Sequence, residues 1–195
     1  MRIIVFDIES RLWAKDLDPK DEEHGWELLR QGKGGASAIS LYDTHEEWLY
    51  TYDDHEIETA ARHLEQADIL VGYNSDGFDI PVMEGLARRR LRIRHSFDIY
   101  TALTGACAMR GIKLGKGDLK LERISRRNLG RGKIEHGGNA KQLAKDGKFG
   151  RLFRYCSDDV HLTYDLFMKI VDDGGLIGPS GFLRLPLPVD LKRAT

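Results

Sequence analysis

The chain has 195 residues and a mass of 22.2 kDa, with 41% hydrophobic and 31% charged residues and a formal net charge of −1. That length suits one domain with a sizeable core, and the composition is that of a globular protein, so disorder is not the expected reading. No apolar run approaches the roughly 18 residues of a membrane span and no signal-peptide cleavage pattern follows Met1, so no membrane association and a cytoplasmic location are expected.

Residues 3–9, IIVFDIE, read as a strand. Side chains alternate faces along a strand, so Val5, Asp7 and Glu9 share one side while Ile4, Phe6 and Ile8 occupy the other. Two carboxylates thus interrupt a segment otherwise built for burial, where ionised acids need a cation or hydrogen-bond donors to offset desolvation. An exposed strand end, or a cap on the next turn, would also account for them. Residues 36–43 (ASAISLYD) predict a second strand and residues 46–52 (EEWLYTY) a third. In residues 55–67, Ile57, Ala60, Ala61 and Leu64 fall at helical spacing, and 68–74 (DILVGYN) then reads as a buried fourth strand.

After Tyr73 comes a loop, Asn74 to Gly77, and Phe78-Asp79 opens a helix over about 80–90 with Pro81 in its first turn. Asp79 can therefore sit at the carboxyl edge of the sheet, although Asp is also a favoured helix cap. Residues 93–100 predict a fifth strand, and helices are expected at 118–129 and 150–171. In the last helix Leu152, Tyr155, Asp159, Leu162 and Leu166 form one core-facing seam, so Asp159 interrupts an apolar stripe, while Asp158 is expected beside the polar face. A Tyr155–Asp159 pair satisfying itself inside the core is the alternative.

Residues 109–149 are rich in Gly and Lys and read as a basic insertion or channel segment of loop with short helices. Within it GIKLGKGD, 111–118, lacks the spacing and the Ser/Thr of a phosphate-binding loop and is taken as plain loop. Residues 176–195 are expected to be an irregular tail, leaving 1–175 as the domain. Cys107 and Cys156 are expected to be reduced core thiols rather than a disulfide or zinc pair. His24, His45, His55 and His63 lie in acidic stretches and are expected to be solvated. The order of elements predicts an α/β domain with a mixed sheet.

The small net charge hides a division. Residues 1–87 hold 7 Lys/Arg against 20 Asp/Glu, residues 88–154 hold 19 against 5, and residues 155–195 hold 4 against 6. The middle block, with RRRLRIRH at 88–95 and RISRRNLGRGK at 123–133, is the charge pattern expected of a protein that meets a phosphate backbone.

FDIE at 6–9, NSDGFD at 74–79 and YCSDD at 155–159 resemble, in order and character, the three motifs of the DEDD (DnaQ-like) 3′→5′ exonucleases. Tyr155, four residues before Asp159, marks a resemblance to the DEDDy subgroup, which includes the proofreading domains of family B DNA polymerases; the histidine subgroup would carry His where Arg154 stands. The likeness extends over about residues 3–170, with 97–100 and 120–130 also similar to family elements. It implies a ribonuclease-H-like mixed five-stranded sheet flanked by helices. It further implies that Asp7, Glu9, Asp79 and Asp159 hold two divalent cations, Mg²⁺ or Mn²⁺, that Asp7 bridges them, and that Tyr155 orients the attacking water. Asn74 and Phe78 would line the path of the terminal nucleotides. The implied activity is a metal-dependent 3′→5′ exonuclease (an exodeoxyribonuclease) that releases nucleoside monophosphates, most simply from single-stranded DNA 3′ ends, alone or beside a polymerase or other replication or repair protein. Two alternatives stand beside it: a ribonuclease-H-superfamily endonuclease, and a catalytically silent nucleic-acid-binding module on the same fold. A phosphatase with Asp7 as nucleophile is disfavoured by Glu9, Ser10 and Arg11.

Overall fold

The alternation in the first strand decides the architecture. In the computed structural model, which describes residues 1–133 and 140–187, β1 (Ile3–Ser10) lies at the centre of a five-stranded sheet. It pairs antiparallel with β2 (Ala36–Asp43), which pairs antiparallel with β3 (Trp48–Tyr52). On its other side β4 (Ile69–Gly72) runs parallel to it, followed by β5 (Ser96–Asp98), so the order is β3-β2-β1-β4-β5. A central strand is covered on both faces, and each face of β1 enters its own core. Ile4, Phe6 and Ile8 pack with α3 (Ile57–Leu64) and α4 (Asp79–Ala87) through Ala60, Leu64, Val82 and Met83. Val5 packs with Val71, Phe97, Leu162, Leu166 and Phe167 on the opposite side, beneath α5 (Ile99–Met109), α6 (Leu121–Leu129) and the long α8 (Phe149–Asp173).

Between β1 and β2 the chain forms α1 (Ala14–Leu17) and α2 (Glu22–Arg30), neither evident in the sequence pattern. α2 starts where the Asp21 side chain accepts from the amides of Glu23 and His24. It packs on α4 at close range: a Cβ on Gly85 would lie 2.4 Å from the Gln31 carbonyl carbon and the Gly32 nitrogen. Gly32 itself adopts φ +76°, a conformation that favours glycine.

Several expectations need correction. The strand expected at 93–100 ends at Asp98, because that side chain accepts from Tyr100 N and Thr101 N and turns the chain into α5. Residues 115–120 form turns, so the helix expected from residue 118 begins at Leu121. The segment expected to be irregular from residue 176 instead contributes a hairpin, β6 (Gly175–Gly178) with β7 (Gly181–Arg184), whose Leu176 and Leu183 join the core. Gly174, Gly175, Gly178, Pro179 and Gly181 break this stretch, so it reads as loop. In the Gly/Lys-rich segment α6 is accompanied by α7 (Ala140–Lys145). Residues 134–139 of that segment and 188–195 of the expected tail lie outside the described residues.

His63, expected to be solvated, is buried: its ring meets Asp43 Oδ2 and Tyr52 OH, each at 2.8 Å. Its place on the inner face of α3, four residues from none of its polar neighbours, comes from the fold and not from local charge. Asp158, expected beside the polar face, is also buried, since this part of α8 is enclosed all round. Cys107 and Cys156 are free and buried as expected. No described helix is long and apolar enough to cross a membrane.

Candidate active site

Parallel pairing with β4 covers only Ile3, Ile4 and Val5 of β1, so the strand runs on past its neighbour. The amide of Ile8, left without a strand partner on that side, donates to Asp79 Oδ1 at 3.0 Å. Asp79 is thus the first residue of α4 but does not cap it; its carboxylate reaches across to β1 instead. On the other face α8 crosses β1 and β2. There Asp159 projects from the seam toward Asp7 and Glu9, and carboxylate oxygens of these three residues all lie within 4.8 Å of one another. The Cys156 thiol reaches Asp7 Oδ2 at 3.4 Å from the same helix.

Four acids so placed are costly. Burial raises the Asp7 carboxyl above its ordinary range, partly offset by Lys133 and by the Cys156 hydrogen bond. Burial together with the charges of Asp7 and Asp159 pushes Glu9 well up, and burial with Asp7 does the same to Asp79. Asp159 is pushed up to about 7, first by burial and then by Asp7. One cation partly compensates them. The Lys133 ammonium bonds Asp159 Oδ2 and donates to Tyr155 OH at 3.1 Å, lying 5.2 Å from the centre of that ring. Burial alone would lower the ammonium, but Asp159, Tyr155 and Asp7 hold it above the usual lysine range. Tyr155 is raised by burial and by Asp159, so it stays a neutral phenol.

The residues fit a hard divalent cation. The donor set is mainly carboxylate oxygen, and Asp159 Oδ1 is buried without a hydrogen-bond partner, an orphan that a ligand atom is expected not to be once coordinated. A second group, Asp43, Glu46 and His63, is also close enough to ligate. There, however, the Arg2 guanidinium bonds both Asp43 Oδ2 and Glu46 Oε1, supplying a positive charge from the protein itself.

The loop preceding Asp79 is fixed by Asp98, whose carboxylate accepts from Asn74 N at 2.8 Å and Asp76 N at 3.1 Å while also capping α5. Asn74 takes φ +66° in this turn. A cavity of about 580 Å³ opens from Asp7 and Asp159 past Asn74, Tyr73 and Tyr100 to Lys120. Phe78 lies outside that lining: it is partly buried against the α3/α4 core and meets Trp26 edge to face at 5.9 Å.

The structure therefore brings Asp7, Glu9, Asp79, Tyr155 and Asp159 to one end of the sheet with Asn74 beside them, and sets Phe78 behind the loop. Sequence reasoning missed Lys133, which sits in a Gly/Lys-rich stretch without periodicity. It also missed Asp98, although an Asp preceding a run of helix formers was a usable cap signal. The basic middle block is not one surface. Arg89 pairs with Glu58 and Glu65, Arg90 with Glu84 and Arg94 with Asp68, at the opposite end of β4 and β5 from the acids.

The fold has a solved counterpart. The family B DNA polymerase from the hyperthermophilic archaeon Pyrobaculum calidifontis superposes with a TM-score of 0.62 at 19% sequence identity, over 88% of this chain. This chain spans 24% of the polymerase's length. The mixed five-stranded sheet flanked by helices is consistent with the ribonuclease-H-like fold of a polymerase exonuclease domain. No family model matches the chain, and no curated protein matches it.

Proposed function

We propose that this chain is a metal-dependent 3′→5′ exonuclease of the DEDDy type that hydrolyses single-stranded nucleic acid, DNA in the first instance, to nucleoside monophosphates. The observation that carries this reading is the convergence of Asp7, Glu9 and Asp159 within 4.8 Å, Asp159 buried and the other two half-buried, with Asp79 raised by burial and by the charge of Asp7. The polymerase-like fold and a basic segment beside the cavity support it.

Bound at these carboxylates, two Mg²⁺ or Mn²⁺ ions would supply a nucleophilic hydroxide at neutral pH and neutralise charge on the leaving oxygen. Asp7, Glu9, Asp79 and Asp159 would hold them. Tyr155, as a neutral phenol, donates or accepts a hydrogen bond and so orients the attacking water rather than removing its proton. Lys133 keeps Asp159 and Tyr155 in register and offers a positive charge toward the scissile phosphate. Asp98 keeps Asn74 and the loop before Asp79 in place.

Incubation with 5′-labelled linear single-stranded, duplex and circular single-stranded DNA, and with RNA, in Mg²⁺, Mn²⁺ or chelator tests the proposal. A ladder shortening stepwise from the 3′ end of linear DNA, with the circle left intact, is expected. Cleavage of the circle would favour the endonuclease, and cleavage that persists in chelator or in Asp7→Ala would overturn the mechanism. Binding without cleavage would mark the silent module.

A further inference from the structure

Residues 113–120, KLGKGDLK, carry no pattern in the sequence, yet the fold builds them into a fixed turn. Asp118 Oδ2 accepts from Gly115 N at 2.7 Å, Asp118 Oδ1 accepts from Arg123 at 3.2 Å, and the Asp118 carbonyl accepts from Arg127 at 3.2 Å. Gly117 takes φ +81° to close the turn, and Tyr73 OH donates to the Leu119 carbonyl at 2.5 Å, tying the turn to the end of β4. The one acid of the segment is thereby engaged by the amide of its own turn and by Arg123. Lys113, Lys116 and Lys120 are exposed, and among the described residues none has an acidic partner.

This arrangement inverts that of the arginine run at 88–94, where Arg89, Arg90 and Arg94 are neutralised by glutamates and an aspartate of α3, α4 and the turn before β4. Side chains already paired with acids neutralise few phosphates and displace few counterions from a polyanion; unpaired ones displace more. The cavity that starts at Asp7 and Asp159 also reaches Gly115, Gly117, the Arg123-paired Asp118 and Lys120, with Lys113 and Lys116 outside its lining, so the turn and the acids border one space. Its 580 Å³ is the size of a small-ligand site. Tyr73 and Tyr100, edge to face with centroids 6.1 Å apart, line the same space, and aromatic side chains in such a groove can stack on unpaired bases.

We infer that the turn 113–120 is the clamp for the strand that feeds the site: Lys113, Lys116 and Lys120 hold successive phosphates of a single-stranded nucleic acid, Tyr73 and Tyr100 meet its bases, and the arginine run takes no part. This rests on the nuclease reading for the direction of the strand.

The test measures anisotropy of a 5′-fluorescein oligothymidylate against salt, with Asp7→Asn as the uncleaving parent. Combining Lys113→Ala, Lys116→Ala and Lys120→Ala is expected to weaken binding at low salt by about tenfold or more and to reduce the salt slope by about 2, since each single-strand phosphate contact contributes about 0.7. Arg90→Ala with Arg94→Ala, both paired with acids, is expected to leave affinity within about twofold. Equal melting temperatures confirm that the exposed substitutions leave the fold intact. A lysine variant that binds like its parent, or an arginine variant that loses as much, would overturn the clamp. In the otherwise unaltered chain the lysine variant should raise KM for the oligonucleotide by a larger factor than for thymidine 5′-(4-nitrophenyl) phosphate, which has no upstream phosphates. If neither substrate is hydrolysed the nuclease reading fails, while the anisotropy series still decides the clamp.

Discussion

Asp159, with its carboxyl pushed up to about 7, makes the candidate site visible to a pH titration of stability. A carboxyl raised in the folded state binds protons better there than in the unfolded chain. It therefore adds stability below its ordinary range near 4 and loses that contribution as pH rises through about 7. Asp7, Glu9 and Asp79 are raised in the same direction. In chelator, the melting temperature of Asp159→Asn is expected to overtake that of the parent as pH rises from 4 to 8. A constant difference between the two would count against the buried acids. Lys133 can be tested in the same window. Replacing it with Met leaves Asp159 without its cation, a loss of about 3 kcal/mol at pH 8, read as a fall of roughly 6–12 °C in Tm. The loss should shrink at pH 5, where the acids take up protons. Asp7 and Asp159 stood out because each breaks an apolar pattern, one in a strand and one in a helical stripe, while their grouping with Glu9 and Asp79 came from the resemblance of the three motifs. Lys133 was not, because a lysine among glycines and lysines breaks nothing; only the fold brings it to Asp159.

The insertion of α1 and α2 between the first two strands acts on the loop before Asp79. Arg30 Nε donates to the Gly77 carbonyl at 3.2 Å and Trp26 meets Phe78, so α2 braces the turn from behind. The brace depends on the glycine contact with α4. Gly85→Ala should gain about 1 kcal/mol of helix propensity. The added Cβ, however, would press on backbone atoms of Gln31 and Gly32 at 2.4 Å, which cannot rotate away. The expected net effect is a loss of about 2 kcal/mol, seen as a lower denaturation midpoint at unchanged m-value; a stabilised variant would show that α2 moves freely. The five strands, α3, α4 and α8 were legible from periods of two and 3.6. α5 was not, because Asp98 ends a strand and caps a helix at one residue. The β6–β7 hairpin was masked by its glycines and Pro179, and its burial depends on α5, α6 and α8 being in place.

At the scale of the whole molecule, a cation that binds the folded site must stabilise the fold. Mn²⁺ at about 100 times its Kd is expected to add about 2.7 kcal/mol, roughly 5–10 °C in Tm. Asp7→Asn should abolish that gain, while Asp43→Asn, in the cluster already served by Arg2, should not. The division of charge along the chain was legible as a sum but not as a surface, since a sequence does not show that Glu58, Glu65, Glu84 and Asp68 fold back onto the arginines. The acidic and basic thirds pair off at one end of the sheet, whereas at the other Lys133 only partly offsets the clustered acids. The two native thiols have a practical consequence of their own. Cys107 and Cys156 are fully buried and both are pushed up by burial, so neither offers a thiolate to a maleimide dye in the native state. A single cysteine introduced at Lys116 or at Arg92 would then take a fluorophore without any background mutation, and energy transfer from a labelled oligonucleotide could trace the strand across the intact protein.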